Sequence, residues 1–70
     1  MKYAEELKRH RIENKLTQQQ LSRATGISQQ AISDYENGKN QPTIGICEKL
    51  ADFYGISIDE LVDHEVKKNW

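Results

Sequence analysis

Apolar residues along the 70-residue chain fall in short groups spaced three or four apart, and each group is closed by a glycine or a polar turn. That spacing predicts helices. A first helix is expected over about Tyr3 to Asn14, with Ala4, Leu7 and Arg11 forming its inward stripe. A second is expected over Gln18 to Thr25, with Thr17 as N-cap and Leu21 and Ala24 at inward positions. Gly26 can turn left-handed to end it, and Ile27 tucks back underneath. Ser28 caps a third helix over Gln29 to Asn37, whose inward residues are Ile32 and Tyr35. After the polar turn Gly38-Lys39-Asn40-Gln41-Pro42, Thr43 caps a fourth helix that places Cys47, Leu50, Ala51 and Tyr54 on one face and stops at Gly55. Gly45 within it costs about 1 kcal/mol relative to alanine unless something approaches closely there. Ser57 caps a fifth helix, with Asp59 and Glu60 in its first turn and Leu61 facing the core. Ile56 closes the lower edge of that core, and Ile58 and Val62 are left as a candidate apolar patch. The expectation is an all-α, compact five-helix bundle over residues 1–66 with a short tail at 67–70.

The second and third helices carry the candidate chemistry. Two short helices joined by a tight turn containing a glycine make a helix-turn-helix, a unit whose second helix can enter a DNA major groove. The outward residues of that second helix are Gln29, Gln30, Ser33 and Asp34, all polar and able to hydrogen-bond base edges. Each glutamine can pair bidentately with adenine, and the serine can serve either partner. Asp34, repelled by phosphate, is expected to accept from a cytosine amino group and to exclude bases that offer only acceptors.

Three segments also carry a resemblance. L-T-Q-Q-Q-L-S from Leu16, G-I-S-Q-Q-A-I-S-D-Y-E-N-G-K from Gly26, and Pro42-Thr43 followed by L-A-D-F-Y-G-I-S-I-D-E-L ending at Leu61 resemble the Xre/Cro-type helix-turn-helix family of phage repressors and bacterial regulators. The resemblance implies a lambda-repressor-like fold with the helix-turn-helix at helices 2–3. It further implies an ion pair between Arg11 and Glu36, and a Gln18 that contacts a phosphate and braces Gln29. Asn37, Lys39 and Asn40 correspond to the family's phosphate-contacting loop, and Thr17 and Ser28 stand at helix N-termini, where backbone N–H groups favour phosphate. His10 stands where the family usually has leucine, and Ser22 where it prefers alanine. A histidine bonded to backbone within the core and a pH-sensing histidine are both compatible with that position. The family often dimerises through its last helices, so Ile46, Phe53, Ile58 and Val62 are the expected dimer or partner patch.

Composition narrows the function classes. The net charge is −1 and the pI about 6.1, which lacks the basic excess typical of nucleic-acid binding. The distribution matters more: residues 1–16 carry +2, residues 17–41 are neutral, and residues 42–70 carry −3. The negative charge therefore lies away from the proposed DNA face. No apolar run suggests a membrane span or signal peptide, so a cytoplasmic protein is expected. Cys47 is alone, and His10 and His64 lack metal-ligand spacing, so neither an enzyme nor a cofactor is expected. Nor is a small-molecule ligand. Two readings remain: a homodimeric regulator of a near-palindromic double-stranded DNA operator, most naturally a repressor, and a protein-interaction or antitoxin-type module built on the same fold.

Overall fold

The computed structural model describes residues 3–62. The boundary expected near residue 66, the tail and His64 lie outside them. Five α-helices follow one another: α1 Tyr3–Glu13, α2 Gln18–Thr25, α3 Gln29–Glu36, α4 Ile44–Tyr54 and α5 Ile58–Val62. α1 packs on α3 and α5, α2 on α3, and α4 on α5 and α2. Leu7, Leu21, Ile27, Ile32, Cys47, Leu50, Ala51 and Leu61 form the buried centre.

Local chemistry sets the ends. The side chain of Thr17 accepts the Gln20 backbone N–H while the Gln20 amide oxygen accepts the Thr17 N–H, so α2 opens with a reciprocal capping box. Gln20 is exposed to solvent, with its amide oxygen folded back onto its own helix end. Ser57 and Glu60 make the same arrangement at α5. Gly26 closes α2 at φ +80°, a left-handed conformation that costs a residue with a Cβ. α1 closes instead with Lys15 at φ +60°, supported by the Asn14 side chain donating to the His10 carbonyl at 2.7 Å.

Two expectations about inward faces change. Ala24 is exposed, and Leu21 is the one residue of the eight-residue α2 that is buried in the centre. On α4 and α5, Ile46, Ile58 and Val62 are half-buried against the core, whereas Phe53 is 42 % exposed. The most exposed large apolar residues also include Ile44 at 68 % and Ile12 at 54 %, neither of which the helical periodicity singled out.

His10 is buried, stacked on Tyr54 with ring centroids 5.6 Å apart, and its Nε2 lies 2.9 Å from the Glu60 carbonyl oxygen. That contact makes it a core histidine bonded to backbone, joining α1 to α5. Glu6 is also buried and pairs with Arg9 at 2.8 Å, while Arg9 forks to Glu13 one turn further on. Nothing approaches Gly45 closely: an added Cβ would meet only the Thr43 hydroxyl at 3.9 Å.

Candidate nucleic-acid interface

α3 is held from behind and open in front. Ile32 is 2 % exposed and anchors its inner side, while Gln29 and Gln30 stand exposed on the outer side. At its C-terminal end Glu36 receives the Arg11 guanidinium through two parallel bonds, Nε to Oε2 at 2.7 Å and Nη2 to Oε1 at 3.0 Å. The third guanidinium nitrogen, Nη1, donates to the Leu16 carbonyl at 2.8 Å, so one side chain ties α1, the α1–α2 turn and α3 together. Both side chains are largely sequestered, 12 % and 4 % exposed. The bond to Glu36 raises the Arg11 pKa above its ordinary value, against the opposing effect of burial.

Gln18 belongs to this cluster too. Its Nε2 donates to Glu36 Oε1 at 3.0 Å, so it bonds to the carboxylate at the far end of α3 rather than to Gln29 at the near end. An ionised carboxylate is a stronger acceptor than a neutral amide oxygen, and the half-buried Gln18 lies within reach of it. The Tyr54 hydroxyl is buried without a hydrogen-bond partner. Burial, followed by the nearby Glu36 charge, pushes its pKa up to about 12, with Arg11 acting in the opposite direction.

The outward four divide into two kinds. Ser33 and Asp34 are half-buried, and both are bonded within the protein. Ser33 Oγ accepts from Asn37 Nδ2 at 3.3 Å. Asp34 Oδ1 accepts from Gln30 Nε2 at 3.0 Å, Oδ2 accepts from Asn40 Nδ2 at 3.3 Å, and its backbone carbonyl accepts the Lys39 N–H at 2.9 Å. The loop that follows is secured from its other side by the Tyr3 hydroxyl, which donates to the Asn40 carbonyl at 3.2 Å. Asn37, Lys39 and Asn40 are exposed beside α3. Thr17 and Ser28 spend their oxygen lone pairs on the cap N–H groups of Gln20 and Ala31, which leaves each hydroxyl proton free to donate outward.

Sequence periodicity does not contain the Gln18–Glu36 and Tyr3–Asn40 bonds, which join residues 18 and 37 positions apart. The Gln30–Asp34 bond had a readable signal, since residues four apart on a helix are neighbours. Among the described residues no group of three His, Cys, Asp or Glu is placed to hold a metal, and no helix is long and apolar enough to cross a membrane.

Residues 7–61 match the helix-turn-helix family. An HTH-type transcriptional regulator of Methanocaldococcus jannaschii is 36 % identical over 59 residues, covering 84 % of this chain and 89 % of that protein. The HTH-type transcriptional activator BcrR of Enterococcus faecalis is 35 % identical over 65 residues, covering 93 % of this chain but 32 % of its own length. The cryptic phage CTXphi transcriptional repressor RstR of Vibrio cholerae is 38 % identical over 52 residues, covering 74 % of this chain and 47 % of its own. The chain thus spans less than half the length of the last two. No solved structure matches it significantly.

Proposed function

The chain belongs to the Xre/Cro-type helix-turn-helix family, whose members are not enzymes, and from that premise we propose that it is a sequence-specific, double-stranded-DNA-binding transcriptional regulator of the cytoplasm. The observation that carries this reading is the pair Gln29 and Gln30, exposed together on α3 while Ile32 and Glu36 fix the rest of that helix in the protein. α3 lies in the major groove and presents the glutamines to base edges. Lys39, Asn37, Asn40, Gln18, Thr17 and Ser28 surround it as donors for phosphates. Relatives are named both as activators and as repressors; a domain seated in the major groove represses most directly, by occupying its site. Two copies place two recognition helices about 34–36 Å apart on a near-palindromic operator.

Selection of duplexes from a random pool, followed by gel-shift of the winners, tests this. Gln29→Ala and Gln30→Ala should each weaken binding to the selected sequence while the helical circular-dichroism signal is retained. Absence of binding to any duplex at low salt would end the proposal.

A second reading has its own support. A surface groove of about 190 Å³ lies between the start of α1, the loop before α4 and α5, with Pro42, Ile44, Cys47, Ile58 and Val62 among its walls. Ile58 and Val62 of the expected patch line it, while Ile46 and Phe53 stand elsewhere on α4; the groove offers a dimer contact or a seat for a protein partner, as an antitoxin-type module requires. Sedimentation of the purified chain separates the two uses, because a dimer contact predicts self-association without any partner.

A further inference from the structure

Asp34 stands on the proposed reading face with both carboxylate oxygens engaged within the protein, one by Gln30 and one by Asn40. A carboxylate is acceptor-only, so the Gln30 group that faces it at 3.0 Å must be the NH₂ end of the amide. Turning that amide over would place its carbonyl oxygen against a negative charge. One N–H is thereby committed to Asp34, and the carbonyl oxygen and the second N–H remain for a ligand. This acceptor-plus-donor edge matches adenine, which offers an amino donor beside the N7 acceptor. A glutamine free to turn over could instead offer both N–H groups to the two acceptors of guanine.

We propose that Asp34 is a positioning residue for base selection: it fixes the orientation of the Gln30 amide so that this side chain reads adenine and rejects guanine, and it ties that reading to the Asn40 loop. The inference rests on the DNA-reading role proposed for α3. It sets an indirect role beside direct cytosine recognition by Asp34, because each carboxylate oxygen already accepts one hydrogen bond within the protein and a cytosine amino group would have to add to or displace those bonds. The carboxylate also ties the loop to the recognition helix through Asn40 Nδ2, beside the main-chain carbonyl of Asp34, which accepts the Lys39 N–H. The side chain that orients a base contact therefore sets the position of the proposed phosphate contacts as well.

The test uses the whole chain and its selected duplex. The base pair under Gln30 is identified as the one whose preference vanishes in Gln30→Ala. At that pair the wild type should favour adenine over guanine by about 5-fold or more, the lower end of what a good bidentate pair gives. Asp34→Asn keeps the shape but lets the amide face either way, so this ratio should fall towards one. Removing the negative charge strengthens binding to every sequence alike, and the ratio is insensitive to that. In the Gln30→Ala background Asp34→Asn should leave the ratio unmoved. A ratio that survives Asp34→Asn overturns the proposal, and so does a shift of equal size in the Gln30→Ala background, which would mean that Asp34 reads a base itself. A readout without DNA guards against ambiguity: the Gln30 side-chain amide protons should move in the nuclear magnetic resonance spectrum of the free protein on Asp34→Asn, and unmoved signals refute the bond. Failure to select any duplex is a different result, which removes the DNA reading and this inference together.

Discussion

Tyr54 shows what a single side chain contributes and costs. Its ring fills space between His10 and Phe53, 5.6 and 5.2 Å away, yet its hydroxyl is buried with no partner. An unpaired buried hydroxyl forfeits its hydrogen bonds to water, so Tyr54→Phe should leave stability at neutral pH unchanged or raise it by about 1 kcal/mol. The alkaline limb is more telling. The unfolded chain ionises this phenol near pH 10, whereas the folded protein resists until about 12. Below pH 10 both states are neutral and nothing changes. As pH rises through that window the unfolded state alone loses the proton, so stability falls, by an amount bounded near 3 kcal/mol at about 1.4 kcal/mol per pH unit. Urea midpoints measured from pH 9 to 11.5 should converge more slowly towards unfolding in Tyr54→Phe than in the wild type. Parallel curves would show that the hydroxyl is solvated in solution.

Among the elements, α4 offers the simplest check on helix propensity. Gly45 lies in its first turn, without a left-handed angle and with only a hydroxyl at 3.9 Å from where a Cβ would stand. Gly45→Ala should therefore stabilise the fold by about 0.4–1 kcal/mol, read from the denaturation midpoint; a loss would mean that this end of α4 is covered by something in solution. Helix starts were legible in the sequence because caps are local: Thr17, Ser28 and Thr43 each accept an N–H three residues on, as their types and spacing imply. So was the stop at Gly26, where a left-handed turn needs no tertiary help. The pairing of Thr17 with Gln20 was equally local, written as threonine and glutamine three apart. The orientation of α2 was not legible, since eight residues leave the choice between Leu21 and Ala24 to the packing of other helices. On α3 the exposed glutamines followed from periodicity. The internal engagement of Asp34 needed the position of Asn40, which a loop supplies and no helical period encodes.

At the scale of the whole molecule, electrostatics decides how DNA binding should respond to salt. The chain is nearly neutral, and its reading face is built from amides, a hydroxyl and the Asp34 carboxylate, with Lys39 the cation closest in sequence to α3. With Lys39 and one or two of the chain's other cations paired with phosphate in each subunit, the slope of log affinity against log salt for a dimer should be about −4 to −5. A slope steeper than about −8 would reveal a basic surface elsewhere on the chain. The guanidinium joined to Glu36 constrains the molecule in another way, through its possible histories. Losing either member alone strands a charge beneath the bundle's surface, which should cost about 3–5 kcal/mol and be measurable by chemical denaturation of Arg11→Ala or Glu36→Ala. Exchanging both for well-fitted apolar side chains can be nearly neutral. Descendants of this chain that abandon the pair must then pass through a poorly folding ancestor or change two codons at once, and drift at positions 11 and 36 should be correlated where it occurs at all.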